Sequence, residues 1–128
     1  MYHGIIVDIA FTNTDFPDSF KAFAKRKSKS LGWMLYGITI EDLELADAIN
    51  NIQKMMKTDK PYYSHFYNDE KVLVVFKDKV FEATSHKSTW KSIIEYGKHL
   101  GIPEEQLDFW PNRFQDEIHY FNKEDYLI

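Results

Sequence analysis

Three short apolar runs joined by very short connections constrain the fold of this chain most strongly. They span residues 62–67, 72–76 and 80–84, and only residues 68–71 and 77–79 separate them. Connections of this length cannot carry a parallel crossover, which needs about a dozen residues or more. Neighbouring strands must therefore be antiparallel, and the sequence predicts a β-meander.

A helix is predicted before this meander. Leu45, Ile49, Ile52 and Met56 recur at the spacing of one helical face. Acidic residues crowd the first turns of the segment and lysines lie near its end, an order that the helix dipole favours.

A second helix is predicted after the meander, over residues 88–100. Its end is marked by Gly101, which suits a left-handed cap, by Ile102 as the hydrophobic partner, and by Pro103, which cannot continue a helix. Residues 107–121, called here the C-terminal strap, have no regular period but contain five aromatic side chains.

The first forty residues predict two strands with a helix between them. Residues 3–11 and 31–40 are rich in β-branched and apolar side chains, as strands are. Phe16, Phe20 and Phe23 are spaced by four and three residues, which favours a helix in the intervening segment, with a strand over residues 16–27 as the alternative.

These elements predict a single α+β domain spanning residues 1–128. Three consecutive antiparallel strands exclude a regular alternation of strands and helices. We expect a mostly antiparallel sheet with two or three helices packed on one face, completed by an irregular, aromatic C-terminal strap.

Composition excludes several classes of function. The chain has no cysteine, which rules out disulfides, thiolate metal centres and cysteine nucleophiles. Its longest apolar run, residues 72–76, is far too short to span a membrane. The first residues carry no basic, signal-like region before the apolar strand. We expect a soluble, cytoplasmic protein without a membrane partner, a metal or a cofactor.

His65 is the first candidate for chemistry. The two-residue period of a strand places it on one face with Tyr63 and Tyr67. There it can act as an acid, a base or a ligand-orienting group. The alternative, which the pattern favours, is a sheet face of amphipathic side chains packed under a helix or partner.

His86 and Lys87 form the best candidate anion site. They lie in residues 84–89, which join a strand to a helix, where free backbone N–H groups attract phosphate or carboxylate. The segment contains no glycine, so it matches neither of the common phosphate-binding loops. Serine and threonine at this place are explained more simply as helix caps.

Two charged clusters suggest weaker alternatives. Asp116, Glu117 and His119 carry metal-binding side chains, but their spacing matches no known metal motif, and a solvated turn is favoured. The basic run from Lys25 to Lys29 could contact phosphate backbones. However, the pI is about 5.7 and no aromatics are interleaved with the run, so nucleic-acid binding is disfavoured.

The C-terminal strap supports three interpretations. It can cover the core, with Arg113 paired to an acid. It can form a subunit interface through Trp110, Phe114, Tyr120 and Phe121, since such interfaces are rich in aromatic residues and arginine. It can also form the wall of a pocket in which Arg113 holds an anion.

These features favour a non-catalytic domain that self-associates, as a homodimer, or binds a partner. The alternative is an enzyme or binder of a small anionic metabolite. Its pocket would combine Arg113, His65 and His86, with Lys87 and Trp110 beside them. Weak nucleic-acid binding through residues 25–29 is the third hypothesis.

Overall fold

Six antiparallel strands of the described residues form one sheet. The structure is a computed structural model that describes residues 1–28 and 32–127. The strands are β1 (Tyr2–Val7), β2 (Lys21–Lys27), β3 (Met34–Ile40), β4 (Tyr63–Tyr67), β5 (Lys71–Phe76) and β6 (Val80–Thr84). Their order in the sheet is β2-β3-β1-β4-β5-β6. The α-helices are α1 (Leu45–Met55), α2 (Lys91–His99) and the short α3 (Glu117–Tyr120). The predicted α+β class is confirmed.

The predicted meander is present as β4, β5 and β6. Phe66 lies opposite Leu73, and Val74 lies opposite Phe81, in continuous antiparallel register. The strand β1 is inserted between β3 and β4 and pairs with both. Because β3 and β4 are each antiparallel to β1, they run in the same direction, and α1 provides the crossover between them.

Both faces of the sheet are covered, one by each long helix. On β5, Val75 packs in the same cluster as Ile52 of α1. Its neighbour Val74 packs in a second cluster with Ile93 of α2. Successive residues of a strand point to opposite faces, so the two helices lie on opposite sides. The expectation that the helices share one face is therefore corrected. We call these sides the α1 face and the α2 face.

The segment after β1 follows the strand alternative and differs from the favoured helix. Residues 16–19 form one 3-10 turn, and a strand, β2, follows instead of a helix. The rings of Phe16 and Phe20 pack edge to face, with centroids 5.3 Å apart. A bulge between Ala22 and Ala24 turns Phe23 toward Gly37, where an added Cβ would lie 2.6 Å from the ring. The aromatic spacing thus reflects a turn followed by a bulged strand.

The predicted end of the second helix is confirmed. Gly101 has a φ of 98°, and the Ile102 N–H donates to the carbonyl of Gly97, as in a helix that ends in a left-handed cap. The C-terminal strap then crosses the α2 face with Leu107, Phe109 and Phe121 buried. No helix of residues 1–28 and 32–127 is long and apolar enough to cross a membrane. Two sequence predictions fall partly outside the described residues. They concern Lys29, the last member of the basic run, and residue 31, where the second strand was expected to begin.

Candidate functional site

A buried polar cluster fixes the C-terminal strap to the sheet. The carboxylate of Glu117, in α3, accepts a hydrogen bond from the hydroxyl of Tyr67 in β4. The same oxygen lies 2.6 Å from Nδ1 of His3 in β1. Burial and the bond to Glu117 raise the pKa of Tyr67. These three side chains join two strands to the strap. His3 was not predicted from the sequence to take part in a polar cluster.

Arg113 is engaged by an acid on its own turn. Its Nε and Nη2 donate to the two carboxylate oxygens of Asp116, at 3.2 and 3.0 Å. This bond raises the pKa of Arg113, whose side chain remains 45% exposed, whereas Asp116 is buried. The planar donor fork is thus already occupied by a carboxylate, as the core-covering interpretation of the strap expects.

His86 and Lys87 lie on an exposed turn that is closed by its own threonines. Thr89 donates its hydroxyl to the carbonyl of His86 at 2.7 Å, and the hydroxyl of Thr84 accepts from the His86 N–H at 3.2 Å. The indole of Trp90 donates to the carbonyl of Thr84, and the hydroxyl of Ser85 donates to the carbonyl of Asn112 in the strap. No side chain of the described residues caps the 3-10 turn at residues 87–89 or the start of α2, so the predicted serine and threonine caps are corrected to turn-closing contacts.

A cavity of about 290 Å³, called here the strap pocket, lies between the strap and the α2 face. The floor is apolar and includes Ile5 and Leu35. Five aromatic residues and three polar residues complete the lining. The aromatic residues are Trp33, Tyr62, Tyr63, Trp110 and Tyr120, and the polar ones are His65, Gln106 and Asp108.

His65 is a buried, neutral member of this lining. Its Nε2 lies 2.8 Å from the carbonyl oxygen of Pro111. A carbonyl can only accept, so Nε2 carries the proton and Nδ1 keeps a lone pair. Burial lowers the pKa of His65 to about 4, and the bond to Pro111 opposes this shift. His65 therefore holds the strap in place and presents no positive charge at neutral pH.

Asp108 gives the pocket its charge. This exposed carboxylate forms no hydrogen bond or ion pair with the described residues. Burial raises the pKa values of Tyr63 and Tyr120, and the negative charge of Asp108 acts in the same direction on both. For Tyr120 the Arg26 guanidinium opposes this and lowers the pKa. No lysine or arginine is among the described residues that line the pocket, although Arg26 lies against the Tyr120 ring. The described lining is thus aromatic and contains one carboxylate.

The structure brings together only some of the residues predicted from the sequence. His65, Trp110 and Tyr120 meet in the strap pocket. Arg113, His86 and Lys87 are not among its lining residues, so the predicted anion site is not assembled there.

The other predicted interface residues have local partners. Phe121 is only 2% exposed and belongs to the core, while Phe114 packs edge to face on the ring of His3, with centroids 4.7 Å apart. Lys25 pairs with Asp18, and the Arg26 guanidinium stacks on Tyr120, so two members of the basic run are engaged.

Asp116, Glu117 and His119 do not form a metal site. Asp116 and Glu117 are bonded as described above, and His119 is exposed. Within residues 1–28 and 32–127, no group of three potential ligands could hold a metal ion.

Three residues of the pocket lining were not predicted from the sequence, namely Trp33, Tyr62 and Asp108. A signal exists in the strap, where Leu107 and Phe109 are buried while Asp108 is exposed and Trp110 is half-buried. That alternation places Asp108 and Trp110 on one side of an extended segment. Nothing comparable links Trp33 to them, because it arrives from the loop before β3.

No family model matches this chain, and no match was found among curated proteins or solved structures.

Proposed function

We propose that the protein is a non-catalytic binding domain whose site is the strap pocket. The observation that carries this proposal is an aromatic-walled cavity that contains a carboxylate without a described partner. Ligand sites are typically concave, mostly apolar and supplied with a few convergent polar groups. The strap pocket has each of these properties.

The polar residues of the pocket support binding rather than catalysis. Its lining includes no serine, threonine or lysine among the described residues. The pKa of His65 is lowered to about 4, and its Nε2–H donates a hydrogen bond to the carbonyl of Pro111. The hydroxyl of Tyr63 donates to the carbonyl of Gln106, and its pKa is raised. Neither group is poised for proton transfer near neutral pH.

The three tryptophans provide a direct test with an internal control. Trp33 and Trp110 line the pocket, whereas Trp90 is buried elsewhere and its indole is bonded to Thr84. In a fragment screen by ¹⁵N NMR, pocket ligands should shift the indole N–H resonances of Trp33 and Trp110 but leave that of Trp90 in place. If every binder shifted all three resonances equally, or none, the strap pocket would not be the site.

Self-association is the second candidate, favoured by a large apolar side chain on the surface. Ile118, in α3, is 72% exposed, and covering it with a second copy of the chain would remove apolar surface from water. Light scattering over a hundredfold range of concentration tests this proposal. A growing dimer fraction that Ile118→Ser abolishes supports it, and a constant monomer mass opposes it.

We also propose a cytoplasmic location, supported by the absence of cysteine. Fractionation of cells that express the tagged chain tests this. Recovery mainly with secreted proteins would contradict it.

A further inference from the structure

We propose that the strap pocket binds a small organic cation of the alkylammonium class, with Asp108 as its counter-charge. This inference rests on the proposed function, namely that the pocket is a binding site, and adds the chemistry of its occupant. The described residues that line the cavity carry one unpaired carboxylate and no lysine or arginine.

The walls of the pocket suit a cation with a methylated or alkylated nitrogen. Two tryptophans and three tyrosines line the cavity. The face of an aromatic ring carries negative charge, so it attracts an alkylammonium group while tolerating its apolar methyl surface. Compact ammonium groups without alkyl substituents keep a strong hydration shell, which such walls cannot replace.

The charges around the pocket also favour a cation. Asp108 lies close enough to Tyr63 and Tyr120 to raise the pKa values of both hydroxyls. His65 is neutral at pH 7 and keeps a lone pair on Nδ1, which forms no hydrogen bond with the described residues. A cation placed among these groups would meet a carboxylate and a neutral acceptor. An anion would meet the repulsion of Asp108 instead.

The size of the cavity limits the ligand to a small one. Its volume of about 290 Å³ lies just below the range for ligand pockets, which is about 300–1,000 Å³. A headgroup-sized cation such as choline is of suitable size. The Arg26 guanidinium already stacks on Tyr120, with 4.3 Å to the ring centroid, so the ligand is left with Asp108 and the other four aromatic rings.

The test compares probes that differ in charge but little in shape. Choline and 3,3-dimethylbutan-1-ol differ by the exchange of a quaternary nitrogen for carbon, and 3,3-dimethylbutanoate supplies the negative charge. Each is titrated into ¹⁵N-labelled protein at low salt, and the indole resonances of Trp33 and Trp110 are followed, with Trp90 as the control. We expect choline to bind about tenfold more tightly than the neutral alcohol, and the carboxylate to bind least.

Two variants separate the role of Asp108 from a general effect of charge. Asp108→Asn should remove most of the preference for choline over the alcohol. Glu105→Gln removes an exposed carboxylate nearby in sequence that does not line the pocket, and should leave the preference intact. An unchanged Trp90 resonance shows that both variants are folded.

Each outcome bears on the two proposals differently. Equal binding of choline and the alcohol, or a preference that survives in Asp108→Asn, would overturn the cation proposal while leaving the strap pocket as a site. If uncharged fragments shift Trp33 and Trp110 but choline does not, only the cation proposal fails. If neither fragments nor choline shift these resonances, both proposals fail.

Discussion

His65 packs between the rings of Tyr67 and Phe109, with centroid distances of 5.9 and 6.3 Å, and its Nε2–H donates to the carbonyl of Pro111. No acidic side chain forms an ion pair with it among the described residues. Burial is therefore the main influence on the pKa of His65, and the ring is neutral in the folded protein at neutral pH. The bond to Pro111 ties β4 to the strap, so this one side chain links the sheet to the pocket wall.

This arrangement gives the stability of the fold a definite dependence on pH. The unfolded chain binds a proton on His65 near pH 6.5, but the folded chain does so only near pH 4. Between these values the unfolded state binds more protons, so the free energy of unfolding falls as the pH falls. The contribution of His65 should approach roughly 1.4 kcal/mol for each pH unit in this window.

Urea unfolding of the native protein and of His65→Gln, measured between pH 4.5 and 7.5, checks this expectation. Glutamine keeps an N–H donor for Pro111 but does not titrate. The difference in stability between the two proteins should shrink as the pH falls, while the titrations of other groups cancel. Parallel loss of stability in both proteins would show that His65 contributes nothing to the dependence.

At the scale of elements, the C-terminal strap is held by polar bonds as well as by buried aromatics. Glu117 in α3 is the point where β1, β4 and the strap meet, because its carboxylate contacts both His3 and Tyr67. The Phe121 N–H also donates to the Glu117 carbonyl at 2.9 Å, which closes the last turn of α3 just before the buried Phe121.

Glu117→Gln should loosen this attachment. The amide oxygen can take the place of the single carboxylate oxygen that contacts both His3 and Tyr67, but it carries no charge, so both buried bonds are weakened. We expect a loss of roughly 1–3 kcal/mol in the free energy of unfolding, with faster hydrogen exchange at Phe121. The control is Glu124→Gln, which changes an exposed carboxylate of the same chain end. Equal stability of the two variants would mean that the cluster does not anchor the strap.

Some of these elements could be predicted from the sequence, and others could not. The meander and the end of α2 follow from short connections and from Gly101, which are local signals. The strand β2 does not, because the spacing of Phe16, Phe20 and Phe23 imitates a helix until the bulge is known. Residues 72–76 are apolar at every position, a pattern typical of strands that are buried on both sides. This pattern indicates a sheet that is covered on both faces.

The candidate site was predictable only in part, for a physical reason. His65 and Trp110 carry recognisable chemistry, and both line the pocket. The pocket also needs Trp33 and Asp108, which come together only after the strap has folded back onto the sheet. Arg113 has the chemistry of an anion site, but its guanidinium is already hydrogen-bonded to Asp116, three residues later in the chain.

At the scale of the whole molecule, one sheet separates two cores. The α1 face buries Ile6, Phe66 and Ile52, while the α2 face buries Tyr67, Phe76 and Phe109. Every tryptophan lies on or beside the α2 side, in its core or in the strap pocket. Tryptophan fluorescence therefore reports on the α2 side, whereas far-ultraviolet circular dichroism reports on the whole sheet and both helices.

If the shared sheet couples the two cores, a cavity on the α1 face must destabilise the α2 face as well. Ile52 is fully buried in α1, so Ile52→Ala should cost about 2–5 kcal/mol. The urea midpoints from fluorescence and from circular dichroism should then fall together, as expected for two-state unfolding. The control is Leu43→Ala, at a side chain that is 98% exposed and should change neither midpoint. A fluorescence midpoint that stayed in place while the dichroism midpoint fell would show that the α2 face and its pocket fold independently of α1.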